Sequence, residues 1–335
     1  MLGLRIAVLG ATGSVGGALL TRLAESPFAE AEVLAFASRA ARVESASFGE
    51  RSLPLHLLSD VHEHAPRLAF CALPPTVARQ VVPDLVSRGV FVIDVGNSTA
   101  GVVDAPLVLP WVRPPSPADL AAAGAARTPS PTGWLLATAL APFFRAGAER
   151  ATGVVNLPAT AFGRAAGEEL SEQVVASFNL KEPPRRLFAD GLAFDTLPAD
   201  NDPGEWTLRE GLASAEVAEL LGIDPARVAF QVVTQPIFAG MTAGIHVRGK
   251  IDSDAAESLL RGSAGLASAG RPALVRPRRV MGRAPVYWTG LRDDPAAEGV
   301  HFWVAGDNLA GAGASAPVAV AEAALEAGLL TAMEA

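Results

Sequence analysis

A single cysteine in 335 residues removes two possibilities at once. No intramolecular disulfide can form and no multi-cysteine metal site can be assembled, which fits a reducing compartment. Positive charge is also in short supply. Against 35 Asp and Glu stand 27 Lys and Arg, a net charge of −8, and no basic run with interleaved aromatics appears. That balance argues against nucleic acid or an anionic membrane as partner and for a small molecule or another subunit. Long apolar runs are missing too. None approaches the roughly 18 uninterrupted residues of a membrane span, and the N-terminus enters a strand with no signal-peptide core. A soluble, cytoplasmic protein is expected. No internal repeat occurs.

What is present begins at Leu4–Leu23. There the apolar run Ile6-Ala7-Val8-Leu9 feeds into Gly10-Ala11-Thr12-Gly13-Ser14-Val15-Gly16 and then into an apolar helical segment. Strand, glycine turn and helix in this order suit a nucleotide phosphate. The turn needs positive φ, and a diphosphate must reach backbone N–H groups at the positive end of a helix without a Cβ in the way. The spacing is G-x-x-G-x-x-G rather than G-x-G-x-x-G, so the flanking strand and helix carry the assignment. A ligand-free glycine turn is the alternative. The length suggests two domains.

Glu32–Ala37 reads as the second parallel strand, ending at Ser38-Arg39. An acidic residue there would bind a ribose 2′-hydroxyl, whereas Arg39 accommodates a 2′-phosphate, so Ser38 and Arg39 favour NADP over NAD. A solvated arginine at a strand end is the other reading. Phe48–Leu58 has a hairpin's character. His62 and His64 follow, two apart beside a proline with no further ligand nearby, and are read as a solvated turn rather than a metal site. Leu68–Leu73 and Val90–Asp94 are strands around a helix from Pro74 to about Ser87, which makes the βαβ alternation clear.

Ala105–Pro131 is rich in proline and is expected to lack long helices or central strands and to lead into a second domain. Beyond it, helices are expected at Leu135–Phe144, Arg164–Phe178, Leu208–Leu221 with Gly222 as C′ residue, and Asp254–Leu260. Strands are expected at Gly153–Leu157, Val228–Ile237, Ile245–Ile251, Val286–Trp288 and Val300–Val304, with a long loop at Phe188–Glu205. Ser315 reads as the N-cap of a last helix reaching Ala332, with Pro317 in its first turn. The fold class is α/β, a Rossmann-type dinucleotide-binding domain followed by a second α/β domain with an open sheet and helices on one face.

Several segments in order resemble the aspartate-semialdehyde dehydrogenase family. They are the glycine loop, Phe36-Ala37-Ser38-Arg39, Val92-Ile93-Asp94 with Asn97-Ser98, Pro106-Leu107-Val108-Leu109-Pro110, and Gly306-Asp307-Asn308-Leu309 before the last helix. The resemblance covers essentially the whole chain. It implies a dinucleotide-binding domain made of 1–127 and 314–335, an α/β dimerisation domain (128–313) that forms a homodimer, and an oxidoreductase of amino-acid biosynthesis: NADP-dependent reduction of an acyl phosphate through a cysteine thioester.

That chemistry needs a thiolate and a base. On this resemblance the nucleophile position falls at Pro131, within Thr128-Pro129-Ser130-Pro131-Thr132-Gly133, and the substrate-orienting glutamine at Pro158. The carboxylate-binding arginine falls at Thr234 and the base histidine at Met241. The arginine expected after Asn97-Ser98 is missing as well. Cys71, in a strand of the first domain, reads as a small core residue. His246, five residues after Met241, should point to the opposite face of its strand. The asparagine that would contact the nicotinamide carboxamide falls at Ala316. The resulting expectation is a pseudoenzyme: a nucleotide- or partner-binding homodimer whose phosphate site (Gly10, Thr12, Gly13, Ser14, Val15, Gly16, Ser38, Arg39) survives while its acylation site does not, with NADP as the possible cofactor and no catalytic residue or metal. The competing expectation is an active NADP-dependent semialdehyde dehydrogenase using an unrecognised site.

Overall fold

The computed structural model describes residues 3–38, 44–198, 208–270 and 275–330. Two compact units divide the chain: Met1–Ser130 together with Ala312–Ala335, and Pro131–Gly311.

The first unit contains β1 (Arg5–Leu9), α1 (Ser14–Ala24), β2 (Glu32–Ala37), β3 (Ser45–Phe48), β4 (Arg51–Leu57), β5 (Leu68–Cys71), α2 (Pro75–Ser87), β6 (Phe91–Asp94), α3 (Pro117–Ala123) and β7 (Ala125–Arg127). Its seven-stranded sheet runs β3-β4-β2-β1-β5-β6-β7. Every pairing is parallel except the β3–β4 hairpin. A parallel sheet must be covered on both faces, and the residues of β1 show how. Ile6 and Val8 pack with Leu19, Leu20 and Leu23 of α1 and with Val318, Val320 and Ala321 of the C-terminal helix. Ala7 and Leu9 point the other way, to Ala78, Val82 and Leu85 of α2.

The proline-rich stretch departs from its expected role as a connection. It still belongs to the first unit and builds α3 and the edge strand β7, which pairs with β6. The prolines do not interfere because of where they fall. Pro117 starts α3 behind the Ser116 N-cap, whose Oγ accepts from the Asp119 amide at 3.3 Å. Gly124, at φ +60°, ends the helix.

The second unit contains α4 (Pro131–Arg145), β8 (Arg150–Leu157), α5 (Arg164–Phe178), β9 (Leu197–Pro198), α6 (Leu208–Leu221), β10 (Val228–Thr234), β11 (Met241–Arg248), α7 (Ser253–Arg261), β12 (Leu266–Ser268), α8 (Pro277–Val280), β13 (Val286–Asp293) and β14 (Gly299–Gly306). Its mixed sheet runs β12-β13-β14-β11-β8-β10-β9. α4, α6 and α7 lie on one face, with Phe143 of α4 stacked on Phe302 of β14 at 5.1 Å. The other face presents Val154, Gly244, His246, His301 and Trp303. Val154 and Trp303 there are 37% and 45% exposed. Gly222 ends α6 at φ +66°, with the Ile223 amide donating to Ala218.

Four expectations change. α5 does not cover the sheet; it packs on Ala159, Phe188 and Leu192. Its buried Glu169 explains why: the carboxylate accepts from the amides of Arg186, Leu187 and Phe188 at 3.0, 2.8 and 3.3 Å. Gln173, one turn on, accepts from Leu192 and Ala193. The helix is therefore a clasp for the loop that follows it. β11 starts at Met241, not Ile245, because Thr242 to Arg248 pair continuously with both β8 and β14. Within the stretch expected to be a long loop, β9 pairs with β10, and residues 199–205 lie outside the described chain. Ser315 is not an N-cap. It has helical φ −67°, ψ −37° and no capping bond, since a π-helical segment, Asn308–Ser315, runs into the last helix, α9 (Ala316–Glu326).

Glu169→Ala should leave three amides, that of Phe188 buried and those of Arg186 and Leu187 partly so, without their acceptor, a loss of about 2–3 kcal/mol for a charged group. The expected result is rapid tryptic cleavage at Lys181, Arg185 or Arg186 under conditions in which the wild-type chain stays intact.

Candidate functional site

In the first unit the glycine loop joins β1 to α1. The amides of Gly10 and Ala11 both donate to the Phe36 carbonyl at 3.0 Å, which fastens the loop to the end of β2. Gly10 has φ +85°, and a Cβ there would lie 2.5 Å from the Ala72 carbonyl oxygen. At Gly16 a Cβ would lie 2.2 Å from the Gly10 carbonyl oxygen, so this glycine sets the approach of helix to strand.

Gly13 is different. It is exposed, has ordinary extended backbone (φ −78°, ψ 165°), and its Cβ would meet nothing closer than 3.3 Å. A side chain there would need only a small shift away from the Gly10 carbonyl oxygen, a far weaker demand for glycine than at Gly10 or Gly16. Gly13 stands at the start of α1, where no side chain caps the helix and no acidic residue occupies the first turn. The positive end of the helix is left to an outside anion. These residues fit a dinucleotide phosphate, with Thr12, Ser14 and Val15 half-buried around the turn. Ser38 is exposed just after β2; Arg39 lies outside the described residues.

Cys71 ends β5, fully buried in the core cluster under α2, beside Asp94 in the register of β6. Burial first, and then the Asp94 charge, push its thiol up to about 12. Burial also raises the Asp94 carboxyl, against the opposing hydrogen bonds from the Thr99 amide and hydroxyl, each 2.7 Å. Of the other polar groups singled out in this unit, His62 pairs with Asp84 at 2.7 Å, and His64 stacks against His56.

In the second unit, the four positions where the resemblance would put chemistry come to one end of the sheet. Pro158 follows β8. Thr234, the last residue of β10, is in register with Leu157. Met241 opens β11 opposite Gly306 of β14. Pro131 begins α4, and Trp134, in the same turn, lies against Gly306. Pro158, Thr234 and Met241 are buried and Pro131 is half-buried.

The polar groups at this end are neutral amides and hydroxyls engaged with one another. Asn156 Nδ2 donates to Thr242 Oγ1 at 3.0 Å, and Gln235 Nε2 donates to Asn156 Oδ1 at 2.9 Å. Asn308 accepts from the Gly240 amide at 3.1 Å. Two carboxylates accompany them: Asp307, held by the amides of Gly282 and Leu309, and the buried Glu216, which lies against Gly133 of α4. Thr234 Oγ1 is buried without a hydrogen-bond partner. Sequence reasoning missed this network, although its signal was available in the polar residues closing β8 and β10. His246 lies on the opposite face of β11 from Met241, and Ala316 is fully buried at the start of α9.

Residues 5–119 match the family model described as semialdehyde dehydrogenase, NAD binding domain. An aspartate-semialdehyde dehydrogenase of Rickettsia bellii is 27% identical over 326 residues, 95% of this chain and 96% of the relative. The USG-1 protein homolog of Azotobacter vinelandii is 28% identical over 331 residues, 95% of this chain and 96% of that one. The solved structure of aspartate semialdehyde dehydrogenase II from Vibrio cholerae, complexed with ASA, superposes with a TM-score of 0.90 at 24% identity, covering 97% of this chain and 99% of the other. In sequence and in fold the chain is similar to the aspartate-semialdehyde dehydrogenase family along nearly its whole length. It carries that family's two-domain fold and a nicotinamide-dinucleotide-binding domain, the latter built on the loop described above.

With a thiol pKa of about 12, the thiolate fraction at about pH 8 is on the order of one in ten thousand. A disulfide reagent such as dithionitrobenzoate should therefore titrate no thiol in the native protein and one after unfolding in guanidinium. A stoichiometric reaction in the native state would show Cys71 to be open to substrates.

Proposed function

We propose that this chain is a member of the aspartate-semialdehyde dehydrogenase family that binds NADP through its glycine loop and has lost acyl-phosphate reduction, acting as a cytoplasmic nucleotide- or partner-binding homodimer. The observation that carries the reading is the joint occupancy of one sheet end by Pro131, Pro158, Thr234 and Met241. A thioester route needs a sulfur nucleophile, a base to take its proton, and donors to hold the substrate's charges. Proline and methionine supply none of these. The single cysteine is buried in the other unit.

Nucleotide binding is supported separately. Gly13 is bare where the backbone angle does not ask for glycine and packing asks for it only weakly, at a helix start with no side-chain cap and no acidic residue in its first turn. Arg39, next after Ser38, is the candidate for the 2′-phosphate.

The test is an assay of aspartyl phosphate reduction with NADPH, run beside calorimetric titration of NADP and NAD. The expected outcome is NADP binding with no turnover above the uncatalysed rate, because loss of the nucleophile alone nearly extinguishes a reaction whose groups act as a unit. Turnover at ordinary enzyme rates that persisted in Cys71→Ala would overturn the reading.

The dimer is supported by the uncovered face of the second sheet, where Val154 and Trp303 stand exposed. Apolar surface of this kind is removed from water by a second copy around a two-fold axis. In sedimentation equilibrium at micromolar concentration the wild-type chain should run as a dimer and Trp303→Glu should shift towards monomer. A wild-type mass of one chain would defeat the proposal.

A further inference from the structure

His246 and His301 face each other across the β11–β14 pair, on the uncovered face of the sheet. Their rings are stacked, 4.4 Å apart at 14°, and both direct Nε2 at the same oxygen, Oδ2 of Asp294, at 2.8 and 3.6 Å. We propose that His246, His301 and Asp294 form a binding site for a divalent late transition-metal ion, with zinc as its first candidate. The proposal does not depend on whether the dehydrogenase chemistry is lost.

Three features of the geometry carry it. First, one potential ligand atom from each residue lies within 4.8 Å of the others. Zinc bonds of about 2.0–2.2 Å place tetrahedral ligands roughly 3.3–3.6 Å apart, so a small rotation of the imidazoles is enough. Second, His246 Nε2 is buried and, despite its 2.8 Å approach to Asp294, is not in hydrogen-bonding geometry with any group. A nitrogen that converges on a carboxylate without bonding to it is placed as a co-ligand would be. Third, the carboxylate is held from outside the cluster. Asp294 Oδ1 accepts from the Ala296 amide at 2.9 Å, and the Asp294 amide donates to the Gly299 carbonyl at 2.9 Å. These bonds turn Oδ2 toward the imidazoles, as outer-sphere hydrogen bonds do for metal-bound carboxylates.

Two imidazoles and one carboxylate favour zinc, cobalt or nickel over calcium or magnesium, which take oxygen ligands. Arg292 is in register with His301, and its Nη1 donates to the Gly290 carbonyl at 2.9 Å. Three protein ligands leave a fourth position for water or an incoming group. The cluster lies five residues along β11 from Met241, roughly 17 Å at strand rise, so it is separate from the sheet end discussed above.

The test uses the full chain after treatment with chelator. Zinc is added in competition with a chromophoric chelator, and cobalt is added while its visible ligand-field bands are recorded. The expected result is one equivalent per chain, with cobalt bands of a four- or five-coordinate ion. His301→Gln and Asp294→Asn should each weaken zinc at least about a hundredfold, the upper range seen for loss of outer-sphere groups alone. His62→Gln, which changes a histidine paired with Asp84 in the other unit, should leave binding unchanged. Circular dichroism checks that each variant is folded. Zinc should also raise the unfolding temperature of the wild-type protein and not of His301→Gln. Absence of saturable binding, or equal binding by wild type and His301→Gln, would overturn the proposal.

Discussion

Helix α4 has no solvent face: every residue from Thr132 to Phe143 is buried. A helix enclosed in this way cannot rotate or slide, because each side chain is matched to a neighbour. Trp134 fills the space that a Cβ on Gly306 or Gly311 would need. Gly133 is kept small by Glu216, whose Oε2 would lie 2.1 Å from an added Cβ. The first residue of α4 is thereby fixed in place against the ends of β11 and β14. What packing requires there is a helix start, and proline satisfies it with its fixed φ and its dispensable N–H. The fold makes no demand for a nucleophile at that point, so chemistry can be lost without loss of structure.

The glycine loop divides in a comparable way. Gly10 and Gly16 answer to backbone angle and to the close approach of strand and helix, and would be needed in any βα turn of this shape. Gly13 carries the lightest such duty, with ordinary extended backbone and one close neighbour, the Gly10 carbonyl oxygen. Of the three glycines that mark the motif, it is the one whose presence speaks of a ligand. The others speak of the fold.

This division also explains what could be read from the sequence. The order of strands and helices in the first unit was legible because its central strands β1, β5 and β6 are short, almost wholly buried and mainly apolar runs with turn residues between. Residues 105–130 were not, since proline was taken as a breaker where it serves as a helix start. In the second unit Arg164–Phe178 was legible as a helix but not in its role. Its buried Glu169 and Gln173 face a loop rather than a sheet, a tertiary arrangement with no local signature. The early start of β11 was hidden for a similar reason: Ala243 and Gly244 are weak strand formers alone and are held by partners on both sides. At the candidate site the resemblance supplied the positions, while the network of Asn156, Gln235 and Thr242 depends on pairing between strands far apart in sequence. The convergence of His246, His301 and Asp294 depends on it equally.

The placement of sulfur has a consequence for how the protein meets oxidative stress. An enzyme that works through an accessible thiolate carries its own point of failure, since the same nucleophilicity invites peroxide and stalls turnover as the sulfur climbs from sulfenic to sulfonic acid. Here the thiol is sealed inside a sheet. Among the described residues the sulfur that solvent reaches is the thioether of Met281, 51% exposed. Its oxidation would give a sulfoxide, a lesion that reductases repair. Peroxide that silences thiol-dependent dehydrogenases would leave at most a reversible mark on this surface.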